Sequence, residues 1–274
     1  MIATFVGGGN MATALIGGLV AHGAQARDFR IVEPAPAQRD RLAARFPGVA
    51  VFGEAAADAV AGADLVLLAV KPQNMRAAAQ AIAPHLRDVP VVMTIAAGTR
   101  IDDLARWLDG YARIVRAMPN TPALVGAGIS GAFAAPAVEA AGRAAAEHVL
   151  EAVGEVVWVD AEPMLDAVTG VSGSGPAYAF YFLEGLEEAA RQLGFGHADA
   201  RKLAYATFAG AIKLAQASDE APGTLRAQVT SKGGTTERGI GVLDEHAVKA
   251  TFVAAVKAAA ARATELGDAL GKDA

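Results

Sequence analysis

Residues 2–23 read IATFVGGGNMATALIGGLVAHG, and this stretch decides the fold of the first half of the chain. It begins as a short apolar run rich in β-forming residues, turns at three glycines, and continues with apolar residues at helical spacing. Gly7-x-Gly9-x-x-Ala12 fits the dinucleotide motif G-x-G-x-x-G/A. Its first glycine makes the turn, the second admits a pyrophosphate to the helix N-terminus, and the small third residue allows close packing.

Further apolar, β-rich stretches alternate with helical ones along the first 160 residues, and this alternation predicts a parallel sheet. The sequence predicts strands at residues 29–33, 63–72 and 89–98, two strands within residues 112–134, and one strand at residues 154–160. Ligands of such sheets bind beyond the carboxyl ends of the strands. We therefore predict a Rossmann-type, doubly wound α/β domain over residues 1–160 that binds NAD or NADP.

The predicted cofactor-binding residues follow strands of this sheet. They are Gly7, Gly8, Gly9, Asn10, Met11, Glu33, Ala69, Val70, Lys71, Pro72, Ala96, Ala97 and Gly98. The alternative is that these are ordinary strand-to-helix turns. The spacing of the three glycine-rich or small-residue turns matches one doubly wound sheet, which favours the cofactor.

Glu33 bears on which cofactor is used. It stands roughly twenty residues after the glycines, where the motif places the acidic residue that binds the ribose hydroxyls of NAD. A carboxylate there repels the extra phosphate of NADP, and no arginine follows at residues 34–36, so Glu33 favours NADH. Arg39 or Arg41 of the next helix is an alternative phosphate ligand, although the sequence favours reading both as solvated helix charges.

Residues 161–274 show helical spacing almost throughout, without a further strand signal. Two stretches rich in glycine and hydroxyl side chains, residues 170–180 and 229–239, interrupt this pattern. We expect a helical substrate domain that offers its polar groups there. Helices this rich in apolar residues exceed what a small lone domain buries, so at least a dimer is expected.

The composition excludes several classes of function. A net charge of −5 without a basic run of five or more residues argues against nucleic-acid binding. There is no cysteine, which excludes thiolate chemistry and Cys-ligated zinc, and we expect no metal site. The N-terminus lacks a charged leader and the apolar stretches are short, so a cytoplasmic protein without membrane segments is expected. The histidines are read as surface or packing residues: His22, His85, His148, His197 and His246.

Six stretches together resemble one family, the pyrroline-5-carboxylate reductases. They are GGGNMATALIGGL (7–19), AVKPQ (69–73), IAAGT (95–99), RAMPNTPALVGAG (116–128), GVSGSGPAYAF (170–180) and SKGGTT (231–236). The resemblance extends from Phe5 to about Glu265. It implies a Rossmann domain followed by a helical substrate-binding and dimerisation domain over residues 161–274, NADPH or NADH as reductant, 1-pyrroline-5-carboxylate as substrate, and a homodimer or higher oligomer, with a decamer possible.

The resemblance also implies how the substrate is bound. The loop Ser231–Thr236 folds over the substrate carboxylate, with backbone N–H groups of Gly233, Gly234, Thr235 and Thr236 as donors. Asn120, Ser174 and Ser231 complete the substrate set. The Thr236 hydroxyl lies near the ring nitrogen, which makes Thr236 the predicted catalytic residue, and a helix N-cap for a segment starting at Glu237 is its alternative or additional role.

Several alternatives stay open at this point. Lys232 stands where many family members carry proline, and it either adds a cation near the substrate carboxylate or points into solvent. Many relatives prefer NADPH, whereas Glu33 favours NADH. A 3-hydroxyacid dehydrogenase of similar build would need a lysine on the first long helix of its second domain, which this chain lacks. A nucleotide-sensing regulator without catalysis is the alternative from another class, and a purely structural helical assembly leaves the glycine motif unexplained.

Overall fold

A computed structural model describes residues 1–272 and divides the chain into two compact units. The first comprises Met1–Ser174 together with the chain from Ala258 onward, and the second comprises Gly175–Lys257. The last helix therefore begins in the second unit and ends in the first. The predicted domain boundary at residue 160 follows the last strand and stays a prediction.

The first unit is built on an eight-stranded sheet of order β3-β2-β1-β4-β5-β6-β7-β8. The strands are β1 (Ala3–Val6), β2 (Phe29–Val32), β3 (Ala50–Phe52), β4 (Leu65–Leu68), β5 (Val92–Thr94), β6 (Ile114–Met118), β7 (Gly128–Ala134) and β8 (Gly154–Trp158). All neighbouring pairs are parallel except β6 and β7, which are antiparallel. This confirms the doubly wound α/β class, and the order of strands reverses between β1 and β4.

Seven α-helices lie between residues 1 and 174 of this unit, in addition to the end of the last helix. They are α1 (Asn10–Ala21), α2 (Pro36–Arg45), α3 (Ala57–Val60), α4 (Met75–Ile82), α5 (Ile101–Trp107), α6 (Ala140–Glu151) and α7 (Met164–Val168). Apolar residues of α1, α2 and α6 pack in one core cluster, and those of α3, α4 and α5 pack in another. Successive residues of β4 alternate between the two clusters, as side chains on opposite faces of a strand must. Both faces of the sheet are thus covered, which explains its continuous apolar strands.

Two features of the sheet depart from the sequence analysis. Strand β3 was not predicted, because three residues are too short to show an alternating pattern. Strand β7 runs against its neighbour β6, because the connection between them is a short turn at Thr121–Val125 rather than a crossover helix.

The second unit is helical, with α8 (Gly175–Gln192), α9 (His197–Gln216), α10 (Pro222–Gln228), α11 (Thr235–Glu245) and the first part of α12 (Val248–Lys272). No strand follows residue 158 within the described part of the chain. None of the described helices is long and apolar enough to cross a membrane.

Two local expectations in this half are corrected by the structure. Residues 170–180 are not a loop, because Thr169–Gly173 forms a π-helical turn that leads into α8. Pro176 fits the first turn of that helix, where no backbone N–H is needed. The helical spacing expected after residue 239 is also interrupted, because α11 ends at Glu245 and Ala247 adopts a left-handed conformation with φ of 51°.

Candidate active site

The three glycines after β1 are required for different reasons. Gly7 has a φ of +99°, and an added Cβ would lie 2.9 Å from the carbonyl oxygen of Ala69. At Gly8 an added Cβ would collide with Leu42 of α2. Gly9, by contrast, has a φ of −71° and nothing within 4 Å of the Cβ position. Neither backbone nor packing requires a glycine there, so its missing side chain leaves space for a ligand at the start of α1.

The Gly8 peptide group is held by two side chains. Glu33 Oε2 accepts the Gly8 N–H at 3.0 Å, and Gln38 Nε2 donates to the Gly8 carbonyl at 2.7 Å. The second carboxylate oxygen, Oε1, accepts the Ala35 N–H at 3.0 Å. Glu33 therefore shapes the glycine loop as well as standing at the predicted ribose position. Its oxygens each keep a further lone pair for a hydroxyl.

Arg39, in α2, reaches back to the two residues that follow β2. Its Nη1 donates to the carbonyl oxygens of Glu33 at 3.1 Å and Pro34 at 2.8 Å, and the side chain is partly buried. The expectation that Arg39 is a solvated helix charge is therefore wrong. Arg41, on the same helix, is exposed as expected.

The loops after β4 and β5 reach the same edge of the sheet as the glycine loop, because all of these strands are parallel. The Ala69 N–H donates to Val6 at 2.8 Å, and Lys71 is exposed just before a turn of 3₁₀ helix at Pro72–Asn74. Ala97 is exposed, whereas Gly98 has a φ of +77° and packs on α12. The predicted cofactor residues thus lie at the carboxyl edge of one sheet, and their roles stay predictions.

Asn120 follows β6 at that edge and is 8% exposed. Its Oδ1 accepts the Ile129 N–H at 3.0 Å, and its Nδ2 donates to the Ser172 carbonyl at 3.2 Å. The side chain therefore ties the β6–β7 turn to the π-helical turn that ends before Ser174. Ser174 is partly buried, and its N–H donates to Thr169 at 2.8 Å. Substrate binding by Asn120 and Ser174 stays a prediction.

The SKGGTT stretch forms a tight turn followed by a helix. The Gly234 N–H donates to the Ser231 carbonyl at 3.0 Å, and Gly233, at the third position of this turn, has a φ of +72°. A positive φ at that position identifies a type II geometry, in which proline is favoured at the second position and most other residues are accepted. Lys232 occupies the second position, so the fold accommodates lysine where many family members carry proline.

Helix α11 begins directly after this turn, with Gly234 as its N-cap and no side-chain cap. Thr235 and Thr236 are its first two residues, so the interpretation of Thr236 as an N-cap is wrong. Two of the predicted amide donors are engaged within the chain. The Gly234 N–H closes the turn, and the Gly233 N–H donates to Glu237 Oε2 at 2.6 Å. Amides of a first helical turn have no acceptor within the helix, which leaves those of Thr235 and Thr236 for a ligand.

Comparison with known proteins decides the family. The pyrroline-5-carboxylate reductase of Pseudomonas aeruginosa is 43% identical over 268 residues, which is 98% of this chain and 97% of the relative. The Escherichia coli reductase is 38% identical and covers 92% of this chain and 93% of its own length. The chain belongs to the pyrroline-5-carboxylate reductase family.

Structures of other reductases agree with this assignment. A pyrroline-5-carboxylate reductase from Coxiella burnetii has a TM-score of 0.91 at 37% identity and covers 96% of this chain and 97% of its own. The Plasmodium falciparum pyrroline carboxylate reductase, solved with NADP bound, has a TM-score of 0.85 at 25% identity and covers 97% of this chain and 98% of its own. These relatives identify this chain as a member of an NAD(P)-dependent oxidoreductase family.

Family models match the two halves of the reductase separately. Residues 2–98 match a model described as NADP oxidoreductase coenzyme F420-dependent, and residues 162–266 match one described as pyrroline-5-carboxylate reductase dimerisation. The second match supports self-association, as does the surface of the helical unit. Tyr181 is 73% exposed and Leu193 80% exposed in the single chain.

The predicted cofactor and loop residues of the reductase lie in different compact units, because Ser231–Thr236 belongs to the second and the cofactor set to the first. Sequence reasoning missed the carboxylate of Glu237 and the amide of Gln38. Both lie within a few residues of a predicted motif. Across residues 1–272, no three His, Cys, Asp or Glu side chains come together as a metal site.

Proposed function

We propose that this protein reduces the C=N bond of 1-pyrroline-5-carboxylate to give L-proline, the last step of proline biosynthesis, with a reduced nicotinamide cofactor. The observation that carries the proposal is the turn Ser231–Gly234, which leads into a helix without a side-chain cap. Free amides and the positive end of the helix dipole favour an anion at this point. The carboxylate of the substrate supplies that anion, and membership of the reductase family supports the choice of substrate.

NAD(P)H, when bound, supplies the hydride that reduces the imine carbon. In the first unit, the open space at Gly9 accepts a pyrophosphate at the start of α1, and Glu33 accepts ribose hydroxyls. The loops after β4 and β5 line the nicotinamide end of the same crevice, and Ala97 in the second of these loops is exposed.

In the second unit, the amides of Thr235 and Thr236 hold the substrate carboxylate, because neutral N–H groups bind a small carboxylate without a competing cation. The exposed Thr236 hydroxyl then hydrogen-bonds the ring nitrogen and orients the imine or the product amine. A protonated iminium is the better electrophile, so the protein mainly aligns reacting groups and needs no histidine–carboxylate pair.

The test compares Thr236→Ala and Thr236→Ser with the wild type and with Thr224→Ala. Thr224 is an exposed threonine in the first turn of α10, in the same compact unit, and serves as the matched control. We expect Thr236→Ala to lower kcat about a hundredfold, within the range for a lost positioned proton donor or acceptor, with cofactor affinity unchanged. Thr236→Ser should recover most of the loss. Folded wild-type protein that oxidises neither NADH nor NADPH would refute the proposal and favour a nucleotide-sensing regulator.

For the cofactor, we propose that both NADH and NADPH are used, with Glu33 favouring NADH and Arg39 allowing NADPH. The backbone carbonyls of Glu33 and Pro34 hold the Arg39 guanidinium beside Glu33, the residue proposed to bind the ribose. A guanidinium donates from several N–H groups in a fixed fork, so those not used by the carbonyls are available to a phosphate.

The matched variants are Arg39→Gln and Arg41→Gln, which remove the same charge from one helix. We expect Arg39→Gln to lower kcat/KM for NADPH about tenfold, the value of one charge-assisted hydrogen bond, and to leave that for NADH within about twofold. Arg41→Gln should change neither value. Equal losses with both cofactors in Arg39→Gln would show that Arg39 only shapes the loop.

We further propose that the helical unit forms a homodimer. Around the edge-to-face pair of Tyr178 and Phe252, whose ring centroids lie 5.5 Å apart, an apolar groove is also lined by Tyr181 and Leu243. Apolar surface of this kind marks an interface in soluble proteins. Light scattering at micromolar protein concentration should give at least twice the 27.8 kDa chain mass. A monomer at that concentration would contradict the proposed dimer but would not bear on the proposed reaction.

A further inference from the structure

We propose that Glu237 is a built-in competitor of the substrate carboxylate, and that it thereby sets the affinity of this protein for its substrate. The inference rests on the proposed function, in which the loop Ser231–Thr236 binds that carboxylate. Glu237 Oε2 accepts the Gly233 N–H at 2.6 Å. A carboxylate of the chain itself therefore occupies one of the amide donors expected to serve the substrate.

The local geometry explains why Glu237 reaches this donor. Glu237 is the third residue of α11, and glutamate at that position commonly turns back to the backbone N–H of the N-cap. The N-cap here is Gly234, whose N–H is already bound to the Ser231 carbonyl. The next free donor toward the N-terminus is Gly233, and the positive end of the helix dipole favours a carboxylate beside it.

Charge then decides the consequence for the substrate. A substrate carboxylate held by the Thr235 and Thr236 amides lies in the same six-residue loop as the Gly233 amide that Glu237 occupies. Two carboxylates held this close repel each other, so binding of one weakens binding of the other. The Glu237 side chain is exposed and can rotate into solvent, which makes it a competitor and not a block. No described lysine or arginine forms an ion pair with Glu237 that would neutralise it, since the ion pair of neighbouring Arg238 is with Glu245.

A purely structural role predicts the opposite sign. If the contact only stabilised the start of α11, its removal would loosen the loop and raise the KM for 1-pyrroline-5-carboxylate. If Glu237 competes with the substrate, its removal lowers that KM. The direction of the change therefore separates the two roles.

The experiment measures kcat and KM for 1-pyrroline-5-carboxylate at saturating cofactor in the wild type, Glu237→Gln, Glu237→Ala and Glu220→Gln. The Gln variant keeps the shape and removes the charge, and the Ala variant removes the acceptor. Glu220→Gln is the matched control, because Glu220 is exposed, lies in the same unit, and makes no ion pair with any described residue. The KM for the cofactor and the thermal midpoint are measured on the same samples.

We expect both Glu237 variants to lower the KM for the substrate roughly two- to fivefold, the range of an exposed charge interaction, with kcat and cofactor KM unchanged. Glu220→Gln should match the wild type. An unchanged or raised substrate KM in Glu237→Gln, in an otherwise active enzyme, overturns the inference alone. Absence of turnover by the folded wild type refutes the proposed function and the inference with it.

Discussion

Replacing Arg116 by methionine should destabilise the first compact unit more than any surface substitution. Arg116, in β6, is 4% exposed. Its guanidinium lies 3.0 Å from Glu162 and 3.1 Å from Asp166. These carboxylates also accept hydrogen bonds, Glu162 from the Ile101 N–H at 2.9 Å and Asp166 from the Thr264 hydroxyl at 3.0 Å. One cation thus connects the central sheet to α5, α7 and α12.

The size of the effect follows from burial. Removing one partner of a buried ion pair costs about 3–5 kcal/mol, because the other partner stays buried without its counter-charge. The side chain of Asp166 is 10% exposed and that of Glu162 is 21% exposed. Water therefore reaches part of Glu162, which places the expected loss at the lower end, about 3 kcal/mol. Arg116→Lys keeps the charge but not the two-pronged geometry, so an intermediate loss is expected.

The assay is urea unfolding at one fixed protein concentration, followed by tryptophan fluorescence. The chain has two tryptophans, Trp107 in α5 and Trp158 in β8, so the signal reports on the first unit. The control is Arg262→Met, whose partner Glu265 is 63% exposed, with an expected change below about 1 kcal/mol. An Arg116→Met loss no larger than that of the control would refute the reasoning.

Three further substitutions test other features of the structure. Gly9→Ala should weaken cofactor binding, measured by titration, and change the free energy of unfolding in urea by less than about 1 kcal/mol, since no protein atom blocks the added Cβ. An unchanged cofactor affinity would contradict the interpretation of Gly9 as space for a ligand. Lys232→Pro should raise the free energy of unfolding by about 0.4–1 kcal/mol, because proline restricts the unfolded chain. If the KM for the substrate is unchanged in this variant, the lysine points into solvent and does not contact the substrate. Ala247→Gly should raise the free energy of unfolding by about 0.5–1 kcal/mol, because glycine adopts the φ of 51° without the strain that alanine has there. A lower free energy of unfolding in urea would contradict strain at this residue.

Local sequence patterns predicted most of the sheet. The glycine motif and the apolar runs depend on a few adjacent residues, so β1, β2 and β4 could be read directly. Strand β3 was not predicted, because its three residues adopt strand conformation by pairing with β2, which is distant in sequence. The antiparallel β7 was predictable in principle, because the short connection at Thr121–Val125 cannot carry a crossover.

Side-chain partners in the site were beyond sequence reasoning. Arg39 looked like one of several charges on a helix surface, and only the fold brings it to the carbonyls of Glu33 and Pro34. Asn120 was identified through the family motif, but its two backbone partners come from β7 and the π-helical turn. Glu237 was adjacent to a recognised loop, and its contact depends on the Gly234 amide being already engaged.

The end of the last helix packs in the same compact unit as the sheet. An added Cβ at Gly267 in α12 would lie 3.3 Å from the Gly98 carbonyl, and one at Gly98 would lie 3.1 Å from Leu270. Only small residues allow this approach, so the predicted cofactor loop after β5 is supported by the end of the chain. Asp166, an ion-pair partner of Arg116, also accepts a hydrogen bond from Thr264 of this helix. Both the ion pairs of Arg116 and the loop at Gly98 are therefore held in place by α12. A substitution that loosens α12 should therefore affect cofactor affinity as well as stability.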